Sequence, residues 1–317
     1  MNRPAAFTRD EHALAEAVRA YCHAKCTEDV QRATGARFPL KFWTGLAELG
    51  IFAMAMPAEA GGPGDIVAAG LELGRAAAPG PVAATFFAAH ALPEDRAAGV
   101  VTGTELVSLG TPPLMPWAAI AEVSIEWTGD KAWLVRRVGA VEPVQTLGNE
   151  PWARISVERE QPLERVPAAA ELFHLALAGY AVGAGRRVLD TAVEHASTRE
   201  QFGRTIGSFQ AVAHPLVDAS LELEAAEKLS ILAARAAGES HTAGGAGLAA
   251  AARLSASQAA MNAAFAAHQT LGAIGYSVEG PIGHITQRIR QMTLSTGVQS
   301  ELGQQVLAAF SAERAEQ

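Results

Sequence analysis

Apolar positions at Leu14, Val18 and Tyr21–Cys22 recur with a helical period, which predicts an amphipathic helix over residues 8–26. Thr8 stands three residues before Glu11, the spacing of a capping box. Pro39 opens a second helix through Phe42, Leu46 and Leu49, and Gly50 closes it. The run MPAEAGGPGD over 56–65 is a loop rich in turn formers. Helices near 64–77 and 81–91 follow, and the first helical unit ends near Gly103. The pattern then changes. Over 105–165 the segments LVSLG, AEVSIEWTG, KAWLVRRVGAVEPV and WARISVERE alternate, carry β-branched residues and Trp, and are split by Pro and Gly. They predict a small β-domain of about five strands. The alternation of Trp133 and Val135 with Leu134 and Arg136 suits a sheet with one wet face. From Pro167 the pattern is helical again, over 168–198, 208–237, 243–274, 281–293 and 299–314, with GESHTAGGAG (238–247) as a turn. Long antiparallel helices on short loops predict a four-helix bundle. Faces such as GLAAAARLSASQAAMNAAFAAH are apolar all round, so these helices are buried on several sides, and much of that burial is expected between subunits. The fold class expected is mostly α with a small β-domain. Its units are an N-terminal helical domain (1–104), a middle β-domain (105–166) and a C-terminal helical bundle (167–317).

Charge and composition narrow the partners. The net charge of −8 over 317 residues is spread, with no basic stripe, so nucleic acid is not an expected partner. No apolar run reaches the roughly 20 residues of a membrane span, and MNRPAAFTRDEHALAEAV lacks the apolar core of a signal peptide, so a cytoplasmic location is expected. Cys22 and Cys26 lie one helical turn apart. Without further Cys or His at ligand spacing they read as small apolar residues on a helix face, and no metal is expected. His174, His214 and His284 are scattered on helices and are assigned no role.

The chemistry sits in two stretches. Residues 199–210 read Arg-Glu-Gln-Phe-Gly-Arg-Thr-Ile-Gly-Ser-Phe-Gln, and residues 269–281 read Gln-Thr-Leu-Gly-Ala-Ile-Gly-Tyr-Ser-Val-Glu-Gly-Pro. Taken singly, an Arg-Glu pair at a helix end, a Phe-Gly turn or a Gly-x-x-Gly is weak. Their order, spacing and helical setting together resemble the flavin-cradling half of the acyl-CoA dehydrogenase family. The helical–β–helical layout resembles that family over most of the chain, and MPAEAGG resembles its Pro-Glu-Glu-x-Gly-Gly loop. The resemblance implies FAD as cofactor. Arg199 would fork two donors onto the pyrophosphate. Gly203 would allow the turn, and Phe202, with Gln201 beside it, would lie against the adenosine. Gln210 would hydrogen-bond that end, and Gln269 and Gly272 would form a second surface. The glycine that follows in the family is here Ala273.

The family's reaction is α,β-desaturation of an acyl-CoA thioester, in which a glutamate removes the C2 proton while hydride leaves C3 for the flavin. Here neither usual glutamate position holds one. The first is Thr296, before Gly297, and the second is Phe173, with Glu171 two residues away on another helix face. A threonine hydroxyl has no deprotonated form near neutral pH and cannot replace a desolvated carboxylate. Glu279 matches a family glutamate that is not the base, and Glu301 lies more than a turn beyond Thr296. Where the family often has Arg-Asp, this chain has Gln287-Arg288. The β-domain is shortened relative to the family. The Thr-Glu-Pro-x-Ala-Gly-Ser-Asp stretch that seats the flavin ring is missing, with only Gly110-Thr111-Pro112-Pro113 near it. The pattern resembles the base-less subunit of heteromeric acyl-CoA dehydrogenases of the kind that shorten steroid side chains. That implies an α2β2 partnership with a second subunit carrying the catalytic glutamate, and an acyl-CoA substrate. Two alternatives are a homomeric dehydrogenase with a displaced base and a non-enzymatic flavin- or CoA-binding scaffold.

Overall fold

The computed structural model describes residues 5–33, 37–57, 59, 61–239, 243–294 and 299–315. The first helices are α1 (Arg9–Lys25), α2 (Glu28–Arg32), α3 (Leu40–Glu48), α4 (Pro63–Arg75), α5 (Val82–Ala91) and α6 (Glu94–Val101). The capping box forms as expected: Glu11 N–H donates to the Thr8 hydroxyl at 3.2 Å, and Thr8 N–H donates to Glu11 Oε2 at 2.7 Å. Helices α2 and α6 are absent from the sequence reading. Each is too short to complete two apolar turns, so periodicity gives little signal.

Five strands follow, β1 (Val107–Gly110), β2 (Leu114–Met115), β3 (Val123–Thr128), β4 (Lys131–Val144) and β5 (Trp152–Pro162), in the order β1-β3-β4-β5-β2. The β1–β3 pair is parallel and the others antiparallel, so the sheet is mixed. Ala132 and Leu134 face the core while Trp133 lies outward under the Arg159 guanidinium, 3.7 Å from its ring centroid. A register shift between Leu134 and Val135 breaks strict alternation and buries Val135 too.

The rest is α7 (Val166–Thr198), the strands β6 (Glu200–Gln201) and β7 (Arg204–Thr205), α8 (Gln210–Glu239), α9 (Ala243–Leu271), α10 (Ala273–Tyr276), α11 (Gly283–Leu294) and α12 (Gln299–Ala315). The helix expected over 243–274 stops at Leu271, because Gly272 takes φ 61° and turns the chain. Helices α7 and α9 run parallel: Arg253 meets His174, and Gly185 faces Ala260 farther along both.

The apolar faces of α7 and α9 are buried largely within the chain, by α4, α5 and α8, and not mainly between subunits as the sequence suggests. Helix α7 is long and apolar enough to cross a membrane by length and composition, yet 83% of its most apolar window is buried in this fold. Exposed apolar residues remain on the outer bundle, including Val217, Leu221 and Phe265.

The contact between α4 and α7 is backbone on backbone. Gly70 and Gly74 of α4 face Gly179 and Gly183 of α7. A methyl group on Gly179 would stand 2.6 Å from the Val67 carbonyl oxygen, and one on Gly74 or Gly183 would overlap the carbonyls of Tyr180 and Leu71. Backbone cannot yield as a flexible side chain can. Gly74→Ala is therefore expected to lower the unfolding free energy by about 1–3 kcal/mol, read from urea denaturation. Gly238→Ala, where an added methyl meets nothing within 4 Å, should be neutral or slightly stabilising.

Candidate cofactor surface and apolar cleft

Helix α7 ends at Thr198, and Arg199 caps it through its N–H to the His195 carbonyl at 2.9 Å. The next residues form a two-residue hairpin, β6 pairing with β7. Its central residues Phe202 and Gly203 have φ of 56° and 78°, the left-handed backbone that tight hairpins demand. Glycine adopts this freely, whereas a bulky residue such as Phe202 does so against its preference. Phe202 is 93% exposed. Its ring meets Phe209 edge-on at 6.1 Å, and the Arg204 guanidinium lies 4.0 Å over the Phe209 ring. The hairpin thus holds an aromatic ring out in solvent.

Arg199, Gln201 and Gln210 are exposed around this hairpin, and Arg199 makes no ion pair among the described residues. Gln269 is exposed on the last turn of α9. Because α7 and α9 run parallel, Gln269 and Gly272 come to the same end of the bundle as Arg199. A methyl on Gly203 or Gly272 would meet nothing within 4 Å, so both backbones are open to an approaching group. An uncommitted guanidinium, amide side chains, an exposed ring and bare glycine backbone suit the pyrophosphate and adenosine of a dinucleotide.

The other sequence-predicted position lies elsewhere. Phe173 sits in the first half of α7, on the wall of a cavity of about 70 Å³ that Ala84, Leu109, Trp117, Leu177, Tyr180 and Met292 also line. Its ring packs edge-on against Trp127 at 5.2 Å. Glu171 faces a different cavity, with Met54, Gly62 and His90, as its place on another helix face implies. Glu279 is exposed. Thr296 and Gly297 lie outside the described residues, as does the side chain of Glu301.

The cleft also holds polar groups that the sequence did not single out. Arg288 of α11 is buried and donates to the carbonyls of Ala77 and Gln31, the latter at 2.7 Å, and to the Tyr180 hydroxyl at 3.4 Å. Glu150 lines the same cleft, and its Oε2 accepts from the Trp152 indole N–H at 2.9 Å. Burial pushes the Glu150 carboxyl above its ordinary range, against the opposing pull of Trp152 and Arg288. Arg288 was visible only as a departure from Arg-Asp. Glu150, in the loop Gly148-Asn149-Glu150-Pro151, carries no periodic signal. Of the three histidines noted in the sequence, His214 is exposed on α8. His174 is buried beside Arg253, and desolvation, then that guanidinium, holds its pKa well below the ordinary value. His284 contacts Gln31 at 3.2 Å. Cys22 and Cys26 are free and buried, with burial pushing both thiols up to about 12. No cluster of His, Cys, Asp and Glu among the described residues could hold a metal ion.

Residues 8–93 match the acyl-CoA dehydrogenase N-terminal domain and residues 168–309 the C-terminal domain. Acyl-CoA dehydrogenase IpdE2 of Mycobacterium tuberculosis is 33% identical over 250 residues, covering 75% of this chain and 76% of that protein. The chain belongs to the acyl-CoA dehydrogenase family. Acyl-CoA dehydrogenase FadE34 of the same organism is 34% identical over 241 residues, 62% of this chain but 32% of that longer protein. Among solved structures, the Tcur3481-Tcur3483 steroid ACAD superposes with TM-score 0.83 at 22% identity, over 96% of this chain and 99% of that one. The ChsE4-ChsE5 complex from Mycobacterium tuberculosis gives TM-score 0.80 at 20% identity, over 99% and 100%. These structural likenesses establish the acyl-CoA dehydrogenase fold. The family is one of FAD-dependent oxidoreductases.

Because the acyl-CoA dehydrogenase hairpin is so exposed, Arg199→Ala and Phe202→Ala should each change the unfolding free energy by less than about 0.5 kcal/mol, measured by chemical denaturation of apoprotein. A larger loss would mean that the hairpin is part of the packed fold.

Proposed function

We propose that this chain is one subunit of a heteromeric, FAD-dependent acyl-CoA dehydrogenase, with the divisions at 104 and 166 as its domain limits. It contributes the cradle for the ADP half of FAD. A second subunit contributes the flavin-ring seat and the catalytic glutamate, in an α2β2 assembly. The observation that carries this reading is distance within α7. Phe173 and Arg199 are 26 residues apart, about 39 Å along a helix rising ~1.5 Å per residue. A dinucleotide held at the Arg199 end cannot also place its ring at this chain's own Phe173 cleft, so its reactive half belongs to a neighbour. Phe173 itself, packed on Trp127, offers no proton acceptor where some family members place theirs. The likeness to the ChsE4-ChsE5 complex and to the Tcur3481-Tcur3483 steroid ACAD supports a heteromeric assembly and a steroid-type acyl group as substrate.

In this reading Arg199 neutralises the pyrophosphate with two charge-assisted hydrogen bonds. Phe202 stacks on the adenosine, Gln210 and Gln269 hydrogen-bond it, and Gly272 lets the backbone approach. Bound FAD supplies the hydride acceptor for α,β-desaturation of the acyl-CoA thioester.

Co-expression with a second acyl-CoA dehydrogenase subunit is expected to give a yellow complex, and the chain alone a nearly colourless protein. A soluble, fully flavinated homomer would overturn the proposal. In the complex, Arg199→Ala should weaken FAD about ten- to a hundred-fold, from loss of roughly 1.5–3 kcal/mol. Arg199→Lys should recover part of that, because the fork is lost. Unchanged flavin occupancy would remove Arg199 from the cradle.

Carboxylate replacement tests the missing base. Glu171→Gln, Glu279→Gln and Glu301→Gln should each leave turnover of the complex within a few-fold of wild type, whereas loss of a general base costs at least ~10²-fold. Thr296→Glu should not add an active site. If FAD per complex and rate both doubled in that variant, this chain would already possess the ring seat.

A further inference from the structure

We infer that the recess between α1, α4 and α7 is a binding site for a phosphoryl dianion, either free phosphate or the phosphate end of a small ester. This goes beyond the donor reading and does not rest on it, since the recess shares no residue with the Arg199 surface or with the cleft beside Phe173.

The recess has a volume of about 250 Å³, room for about twenty water-sized groups at ~10–15 Å³ each. Its charged lining is Arg19, Arg75 and Arg187 against one carboxylate, Glu72, with the imidazole of His23 beside them. Arg19 and Glu72 cancel. Arg19 Nε and Nη2 donate to the two oxygens of buried Glu72 at 2.9 and 2.8 Å. Arg75 and Arg187 are not compensated in this way. Arg75 Nη1 donates to exposed Asp190 at 3.2 Å, a surface pair that offsets little of its charge. The Arg75 Nε–H is buried and has no acceptor among the described residues, and a closed-off donor without a partner is costly. Arg187 is exposed and makes no ion pair among the described residues. The rest of the lining does not oppose an anion. Burial pushes the Cys22 and Cys26 thiols up to about 12, so both stay neutral. The carbonyls at the end of α4 are occupied: Glu72, Leu73 and Gly74 accept from the N–H groups of Ala76, Ala78 and Ala77, and Ala76 accepts from the Cys26 thiol.

Two uncompensated guanidiniums in one recess call for a doubly charged anion. The donors come from three helices, His23 on α1, Arg75 on α4 and Arg187 on α7, so they approach from three sides. A phosphoryl group is tetrahedral and offers each of them a strong acceptor oxygen. A carboxylate is planar, with two oxygens and one charge, and leaves one donor and one charge unmatched. An uncharged group leaves both charges unmatched.

The test titrates the full chain with inorganic phosphate, glycerol phosphate and acetate by calorimetry. Phosphate in one or both forms is expected to bind saturably and about tenfold more tightly than acetate. Glycerol phosphate tighter than inorganic phosphate identifies an ester as the source, and the reverse or equality identifies free phosphate. Arg187→Gln and Arg75→Gln should each weaken that binding roughly ten- to a hundred-fold, and Arg187→Lys should recover part of the loss. Arg96→Gln removes the same charge from an exposed arginine of α6 outside the recess and should change nothing. Arg187 is exposed and unpaired, so Arg187→Gln should unfold at the wild-type denaturant midpoint. No saturable phosphate binding by wild type, acetate bound as tightly as phosphate, or wild-type affinity in Arg187→Gln would each overturn the inference. Arg199→Ala is titrated alongside. Phosphate binding lost there and kept in Arg187→Gln would put the anion at the hairpin and overturn it as well. FAD content of the complex is read for Arg187→Gln and should equal wild type, so failure of the recess and failure of the cradle are separate results.

Discussion

The backbone contact between α4 and α7 sets the position of nearly everything else. With Gly70 and Gly74 against Gly179 and Gly183, the two helices approach until carbonyls and Cα atoms touch. Larger residues would hold them apart and leave space that α5 and the sheet could not fill. The close approach brings Tyr180 under Ala77 and Ala78, where its hydroxyl reaches the Ala78 carbonyl. Arg288 is then drawn in to the adjoining Ala77 carbonyl. The polar end of the cleft is a consequence of how little room lies between these helices.

The same helix serves two surfaces of opposite character. Its first half forms a dry wall with Phe173 and Leu177, and its end launches a hairpin that holds Phe202 in water. A structure that buries apolar area wherever it can keeps one aromatic ring exposed, in a left-handed backbone that a bulky residue resists. Neither the exposure nor the backbone helps this chain fold. Both make sense if another molecule covers the ring.

Much of this was legible in the residues. The capping box of Thr8 and Glu11, the Pro39 start and Gly50 stop, and the Phe202-Gly203 turn are local rules, and each appears where the sequence places it. The mostly helical fold with a small sheet followed from the switch of period near 105. What escaped was not local. The end of α9 at Gly272 depends on one glycine choosing a positive φ inside a long Ala-rich run. The burial of α7 within the chain depends on glycine pairs 109 residues apart, such as Gly70 and Gly179, meeting face to face. Glu150 and Arg288 are brought to one cavity by the loop after β4 and by α11, and no spacing along the chain connects them.

The length of α7 also sets a phase. Each residue advances a helix by about 100° and ~1.5 Å. A single insertion or deletion between Phe173 and Thr198 would turn every later residue of α7 by about 100° about the helix axis, carrying Val188, Leu189, Ala192 and Ala196 out of their places in the core and the hairpin out of line with Gln269 and Gly272. The arginine, the ring and the glycine would be intact and would face the wrong way. Along this stretch the fold can accept an exchanged residue but not an added or lost one, because the chain here acts as a ruler and a compass at once.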